Sequence, residues 1–90
     1  MMDPISDFSS KLNKVNVKKK SLLLVNDDFN DFDHVADCLV LICDHTIIQA
    51  EQCALIAHNV GQCVIKEGSY LDLINYKKDL TLYGLEVQIL

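Results

Sequence analysis

Arginine is absent from these 90 residues, and every positive charge is a lysine. Without arginine there is no planar fork to grip a phosphate or a guanine edge in two places. Glycine is scarce as well, with three in the chain, and no glycine-rich run could cradle a phosphate. The longest uninterrupted apolar run is Cys38 to Cys43, far below the ~20 residues a membrane span needs. Charged and polar residues interrupt every apolar stretch before Lys20, so no cleavable leader pattern emerges. The four cysteines stand at intervals of five, ten and ten with no C-x-x-C pair. That spacing suits reduced, buried thiols in a cytoplasmic protein better than a disulfide scaffold.

What is present is a small apolar-rich domain of uneven charge. Half of the residues are hydrophobic, enough for a core, although a chain this short folds with little margin. Residues 1–20 hold five lysines against Asp3 and Asp7, a balance of +3. Residues 21–90 hold three lysines against eleven acids, a balance of −8. An acidic core without arginine is a poor nucleic-acid partner, because phosphate affinity comes from released counterions. Residues 1–20 read as a polar arm and residues 21–90 as the folded domain.

Within the domain the periodicities change in a definite order. Ser21–Asn26 is a short apolar run, consistent with a buried strand, and Asp27-Asp28-Phe29-Asn30-Asp31 marks a turn. Asn30, with Asp33 three residues on, resembles a capping arrangement at the start of a first helix, and Asp31 and Asp33 are also expected to cap it and favourably oppose its dipole. Phe32, Val35, Ala36, Leu39, Ile42 and Cys43 then recur at helical spacing. Thr46-x-x-Gln49 is a capping box before a second helix whose apolar face, Ala50, Cys53, Ala54 and Ala57, is unusually small. Gly61 closes it. Cys63–Ile65 reads as a strand, Ser69-x-x-Asp72 opens a third helix, and the alternating Leu85–Ile89 reads as a last strand. The expected order is β-α-α-β-α-β, an α+β fold with one sheet covered by helices on one face.

Several constellations fail on detail. A calcium loop starting at Asp28 would need glycine at its sixth position and glutamate at its twelfth, where Asp33 and Leu39 stand. His34, Cys38, Cys43 and His45 offer one close-spaced pair amid core residues, not the two pairs of a structural zinc site. Cys53 and His58 lie about 500° apart round a helix, on different faces, so they form no nucleophile and base. Neither a metal nor a cofactor nor an enzymatic activity is expected.

One combination is more specific. Asn26-Asp27-Asp28 leaves the first strand, and His58 stands in the last turn of the helix lined by Ala54 and Ala57. The pairing V-N-D-D and A-H-x-x-G at this separation resembles the ClpS family, bacterial adaptors that deliver N-degron substrates to an AAA+ Clp protease. The resemblance runs from about Leu22 to the end of the chain. It implies a three-stranded antiparallel sheet packed against three helices.

For function, the resemblance implies that Asn26, Asp28 and His58 hold the α-amino group of a substrate, with Asp27 and Asn30 near its backbone. The first side chain, Phe, Tyr, Trp or Leu, would enter an apolar pocket of Leu24, Phe32, Val35, Ala54, Ala57 and Leu85. Asp72 and Lys77 reproduce the spacing that docks the family on the N-terminal domain of a ClpA or ClpC unfoldase. Residues 1–18 look like a shorter form of the arm that assists hand-over. Ala54 and Ala57 stand where larger residues, often Met and Val, are commoner, and Asp31 stands where Pro commonly follows the turn. Smaller walls imply a roomier pocket unless Phe32 fills it. The alternative is an interaction module of the same fold, docking an unfoldase or another protein without N-degron specificity.

Overall fold

The computed structural model describes residues 18–90, so most of the arm expected at residues 1–20 lies outside the described residues, and Lys20 already belongs to the first strand. Six elements follow: β1 (Lys20–Val25), α1 (Phe32–Cys43), α2 (Ile47–Val60), β2 (Gln62–Gly68), α3 (Tyr70–Leu82) and β3 (Val87–Ile89). The order is β-α-α-β-α-β, as the patterning implies. Strand β1 is central, with β2 and β3 antiparallel on either side.

Leu22 and Leu24 of β1 enter the core with Leu39, Ala50, Ala57, Ile65, Leu73, Leu80 and Val87. The helices thus lie on the sheet face that these two leucines present, as alternation along a strand requires. The β1–β2 ladder slips between Leu22 and Leu23, where Lys66 and Val64 are their respective partners. Ile65 is the extra residue of this bulge, and its side chain is buried.

The helix caps account for the turns. Of the residues expected to cap α1 it is Asp31 that does so, its carboxylate accepting the His34 N–H at 2.8 Å. Asn30 is drawn elsewhere, because its side-chain amide donates to Asp27 Oδ2 and to the Gly84 carbonyl, 2.9 and 2.8 Å away. Helix α1 ends on Asp44 in the left-handed region, which short polar side chains tolerate. Both bonds of the Thr46–Gln49 capping box form, and Ser69 caps α3 through the Asp72 N–H at 3.2 Å.

Strand β3 is shorter than the alternation of Leu85–Ile89 implies. The Leu85 N–H bonds to the Leu80 carbonyl at 3.1 Å and closes the end of α3, which removes it from the ladder. The Glu86 carbonyl still accepts the Val25 N–H at 2.9 Å, so β1 stays tied to the chain entering β3.

Candidate functional site

Three chain ends meet at one end of the sheet: the exit of β1, the start of α1 and the end of α2. The Asn26 N–H donates to the Gly61 carbonyl at 3.0 Å, which sets the strand exit against the last turn of α2. Gly61 has φ +105°, a conformation that any side chain would strain, and its own N–H returns to Ala57. That single residue therefore turns the chain out of α2 and anchors the strand exit beside it.

Between these ends lies an open cavity of about 360 Å³. This is at the small end of the ~300–1,000 Å³ usual for ligand clefts. Its apolar walls are Leu24, Val25, Phe32, Val35, Ala54 and Ala57, and its polar groups are Asn26, Asp27, Asp28, Asn30, Asp31 and His58. The alanines let the cavity exist, since Ala54 and Ala57 are buried with nothing beyond Cβ to fill the space. Phe32 is 41% exposed and stands at the first position of α1, a large ring beside the small walls.

The cavity therefore gathers Asn26, Asp27, Asp28, Asn30 and His58 with five of the six expected wall residues. Leu85 is the exception. It is 4% exposed and packs in the core, because the bond from its N–H to Leu80 folds it under the end of α3. Val25 and Asp31 also line the cavity and were not expected there. Asp31 had a usable signal, because an N-cap immediately before the first residue of an apolar stripe shares that residue's surroundings.

Within the turn, the polar groups divide by task. Asp27 Oδ1 accepts the Phe29 and Asn30 N–H groups at 2.9 and 2.8 Å, while Oδ2 accepts the Asn30 amide. Partial burial pushes the Asp27 carboxyl up, but these three hydrogen bonds and the nearby His34 outweigh it and hold it below its ordinary value. Asn26, Asp28 and His58 are exposed, and no side-chain hydrogen bond engages them among the described residues. Three carboxylates, Asp27, Asp28 and Asp31, ring the mouth. Such an arrangement offers acceptors and negative charge above an apolar well, and suits a ligand with a cationic head and an apolar tail.

A model of the ClpS family, the ATP-dependent Clp protease adaptor proteins, matches residues 16–88. The chain belongs to the ClpS family. Among solved structures it is similar to Agrobacterium tumefaciens ClpS2 bound to L-phenylalaninamide. The two share 18% identity over 83% of this chain and 98% of that one, with a TM-score of 0.77, a likeness of fold. No curated protein sequence matches this chain.

Two of the four cysteine thiols are held protonated by their surroundings. Burial pushes Cys43 up to about 11, and burial together with the Cys63 thiol pushes Cys53 up to about 12. Neither is a thiolate at neutral pH. Among the described residues no three His, Cys, Asp or Glu side chains are placed to hold a metal ion. His34 and His45, raised as metal ligands by the sequence, instead bond the Tyr83 and Ile65 carbonyls, each at 2.8 Å. No described helix is long and apolar enough to cross a membrane. Asp72 is exposed in the first turn of α3, and Lys77 is half-buried further along the same helix.

Proposed function

We propose that this chain captures proteins by their first residue and presents them to a Clp-type AAA+ unfoldase, without chemistry of its own. The observation that carries the reading is the cavity, where polar acceptors free of other partners stand over small apolar walls in a ClpS-family chain. An α-ammonium has three N–H donors and no acceptor, so it needs convergent acceptors. Asn26 offers an amide oxygen, Asp28 a carboxylate and His58 an imidazole lone pair. The apolar side chain then enters between Leu24, Val35, Ala54 and Ala57, with Phe32 at the rim.

The ligand in the related structure, L-phenylalaninamide, has a free α-amino group, a benzyl side chain and an amide in place of a carboxylate. It is the N-terminus of a peptide reduced to one residue. By analogy this cavity takes Phe, Tyr, Trp or Leu, and its alanine walls leave room for branched side chains as well. Asp27 and Asn30 act indirectly, holding the turn that presents Asn26 and Asp28. Asp72 and Lys77 on α3 are the docking residues for the N-terminal domain of the unfoldase, of ClpA or ClpC type.

Fluorescence anisotropy with a labelled peptide beginning with Phe, beside its N-acetylated twin, tests the reading. The free amine should bind with micromolar affinity or better, ~8 kcal/mol, and the acetylated peptide should not bind. Acetylation removes the charge and two donors and leaves the acceptors that the ligand covers unpaired, so discrimination should be steep. Equal binding of the two peptides would remove amine recognition. Failure of both would leave an adaptor fold whose partner contacts lie on the Asp72–Lys77 helix.

A further inference from the structure

Two of the four cysteines, Cys53 on α2 and Cys63 on β2, are half-buried and pack against the same core. Cys63 pairs with Leu24 in the β1–β2 ladder, and directly opposed residues direct their side chains to the same face. Leu24 is buried beneath the helices, so Cys63 points into the helical layer too. Because β2 is an edge strand, Cys63 stands at the open rim of that layer. Cys53 belongs to the α2 stripe with Ala50, Ala54 and Ala57, whose burial marks the sheet-facing side and whose small side chains let the helix lie close. The Cys63 thiol donates to the Val64 carbonyl at 3.6 Å and lies near enough to Cys53 to add to burial in holding that thiol protonated.

Neither residue lines the cavity, but each is close in sequence to residues that shape it. Cys53 precedes Ala54, one of its walls. Cys63 lies two residues beyond Gly61, whose carbonyl holds the Asn26 N–H. We propose that Cys53 and Cys63 form a reversible disulfide that ties α2 to the edge strand and weakens ligand binding in the adjoining cavity. The effect on binding rests on the peptide-binding reading above; the disulfide does not.

The oxidant is a small-molecule disulfide such as oxidised glutathione. The accessible Cys63, as thiolate, attacks one of its sulfurs and expels one glutathione thiolate, which takes up a proton. Cys53 then gives up its proton to solvent and attacks the Cys63 sulfur of the mixed disulfide, expelling the second glutathione. Two protein thiols are oxidised and one small disulfide is reduced to two thiols. Capping Cys63 also removes that neighbour's part in holding Cys53 protonated. Closing the S–S bond to about 2.0 Å draws the two elements together. Ala54, Ala57 and His58 move with α2, or Gly61 and the Asn26 anchor move with β2.

The test equilibrates the full chain with oxidised and reduced glutathione, blocks free thiols and maps peptides by mass spectrometry. A Cys53–Cys63 linked peptide, lost on adding dithiothreitol, is expected. The anisotropy assay with the Phe peptide should show affinity about fivefold or more weaker in the oxidised form, as for a typical coupling between sites. Cys53→Ser and Cys63→Ser should each form no such link and keep the reduced affinity in oxidising buffer. Persistent alkylation of both thiols, or a glutathione adduct on Cys63 that never resolves, would overturn the proposal. A linked protein that binds as tightly as the reduced one overturns the coupling. A link that forms in a chain whose reduced form ignores the Phe peptide upholds the disulfide and counts against the peptide-binding reading instead.

Discussion

Two connectors in this fold look alike in composition and differ in what their polar groups do. Residues 26–31 join β1 to α1, and residues 44–46 join α1 to α2. Both are short, both carry aspartate, and both end on a helix cap. In the second, every residue serves the fold: Asp44 is the left-handed end of α1, Thr46 caps α2, and His45 is 6% exposed. The His45 Nε2–H donates to the Ile65 carbonyl at 2.8 Å, which leaves Nδ1 buried without a partner among the described residues. In the first, Asp27, Asn30 and Asp31 serve the fold while Asn26 and Asp28 remain exposed on a cavity. Polar groups that the fold does not use, gathered over an apolar well, mark a binding site more clearly than residue type does.

The largest effects should separate the two imidazoles. His45→Ala leaves the Ile65 carbonyl unpaired and opens a hole beneath β2, costing about 2–4 kcal/mol. Its urea midpoint should fall sharply while peptide affinity in native buffer stays close to that of the parent. His58→Ala should do the reverse, since the side chain is exposed and touches nothing the fold needs. Losing one charge-assisted acceptor weakens binding by about 1.5–3 kcal/mol, tenfold or more. If His58→Ala destabilised the domain, or His45→Ala cost affinity but not stability, the division between the connectors would be wrong.

A finer test asks whether Asp27 acts through order or through charge. Asp27→Ala removes three hydrogen bonds that hold the turn, so Asn26 and Asp28 must be ordered on binding. At about 0.5–1.5 kcal/mol for each group immobilised, affinity should fall roughly tenfold. Asp27→Asn keeps an acceptor for the Phe29 and Asn30 N–H groups and should lose much less. Equal losses in the two variants would mean that the negative charge at the mouth matters more than the shape of the turn.

Much of the fold was legible because its boundaries are marked by local chemistry. Thr46-x-x-Gln49 and Ser69-x-x-Asp72 are caps written within four residues, and all three glycines stand at element ends. What escaped depends on contacts distant in sequence. Asn30 is as good a cap as Asp31 by residue type, and it loses the position to a bond with Gly84, 54 residues away. The late start of β3 and the removal of Leu85 from the cavity share one cause, the bond between Leu85 and Leu80. The bulge at Ile65 left no local signal. For the cavity, the strand exit and the alanine-lined helix were visible separately, and the Asn26–Gly61 bond that joins them is a tertiary fact.

The smallest expected effect concerns acid, and its sign follows from Asp27. Its carboxyl is held below the ordinary value, so the folded turn favours the carboxylate over the acid. The stabilisation is therefore complete above the ordinary aspartate range, near ~3.9, and is lost as pH falls through the lower folded value. Urea unfolding from neutral pH downward, on the parent and on Asp27→Asn, isolates this contribution. The gap between them should hold steady down to about pH 5 and narrow below pH 4, because the variant has no carboxyl to protonate. His34 sharpens the point, since its nearby charge helps to hold Asp27 ionised. A gap of constant width across that range would show that the turn is held by geometry alone, and that the charge on Asp27 is free to serve the mouth of the cavity.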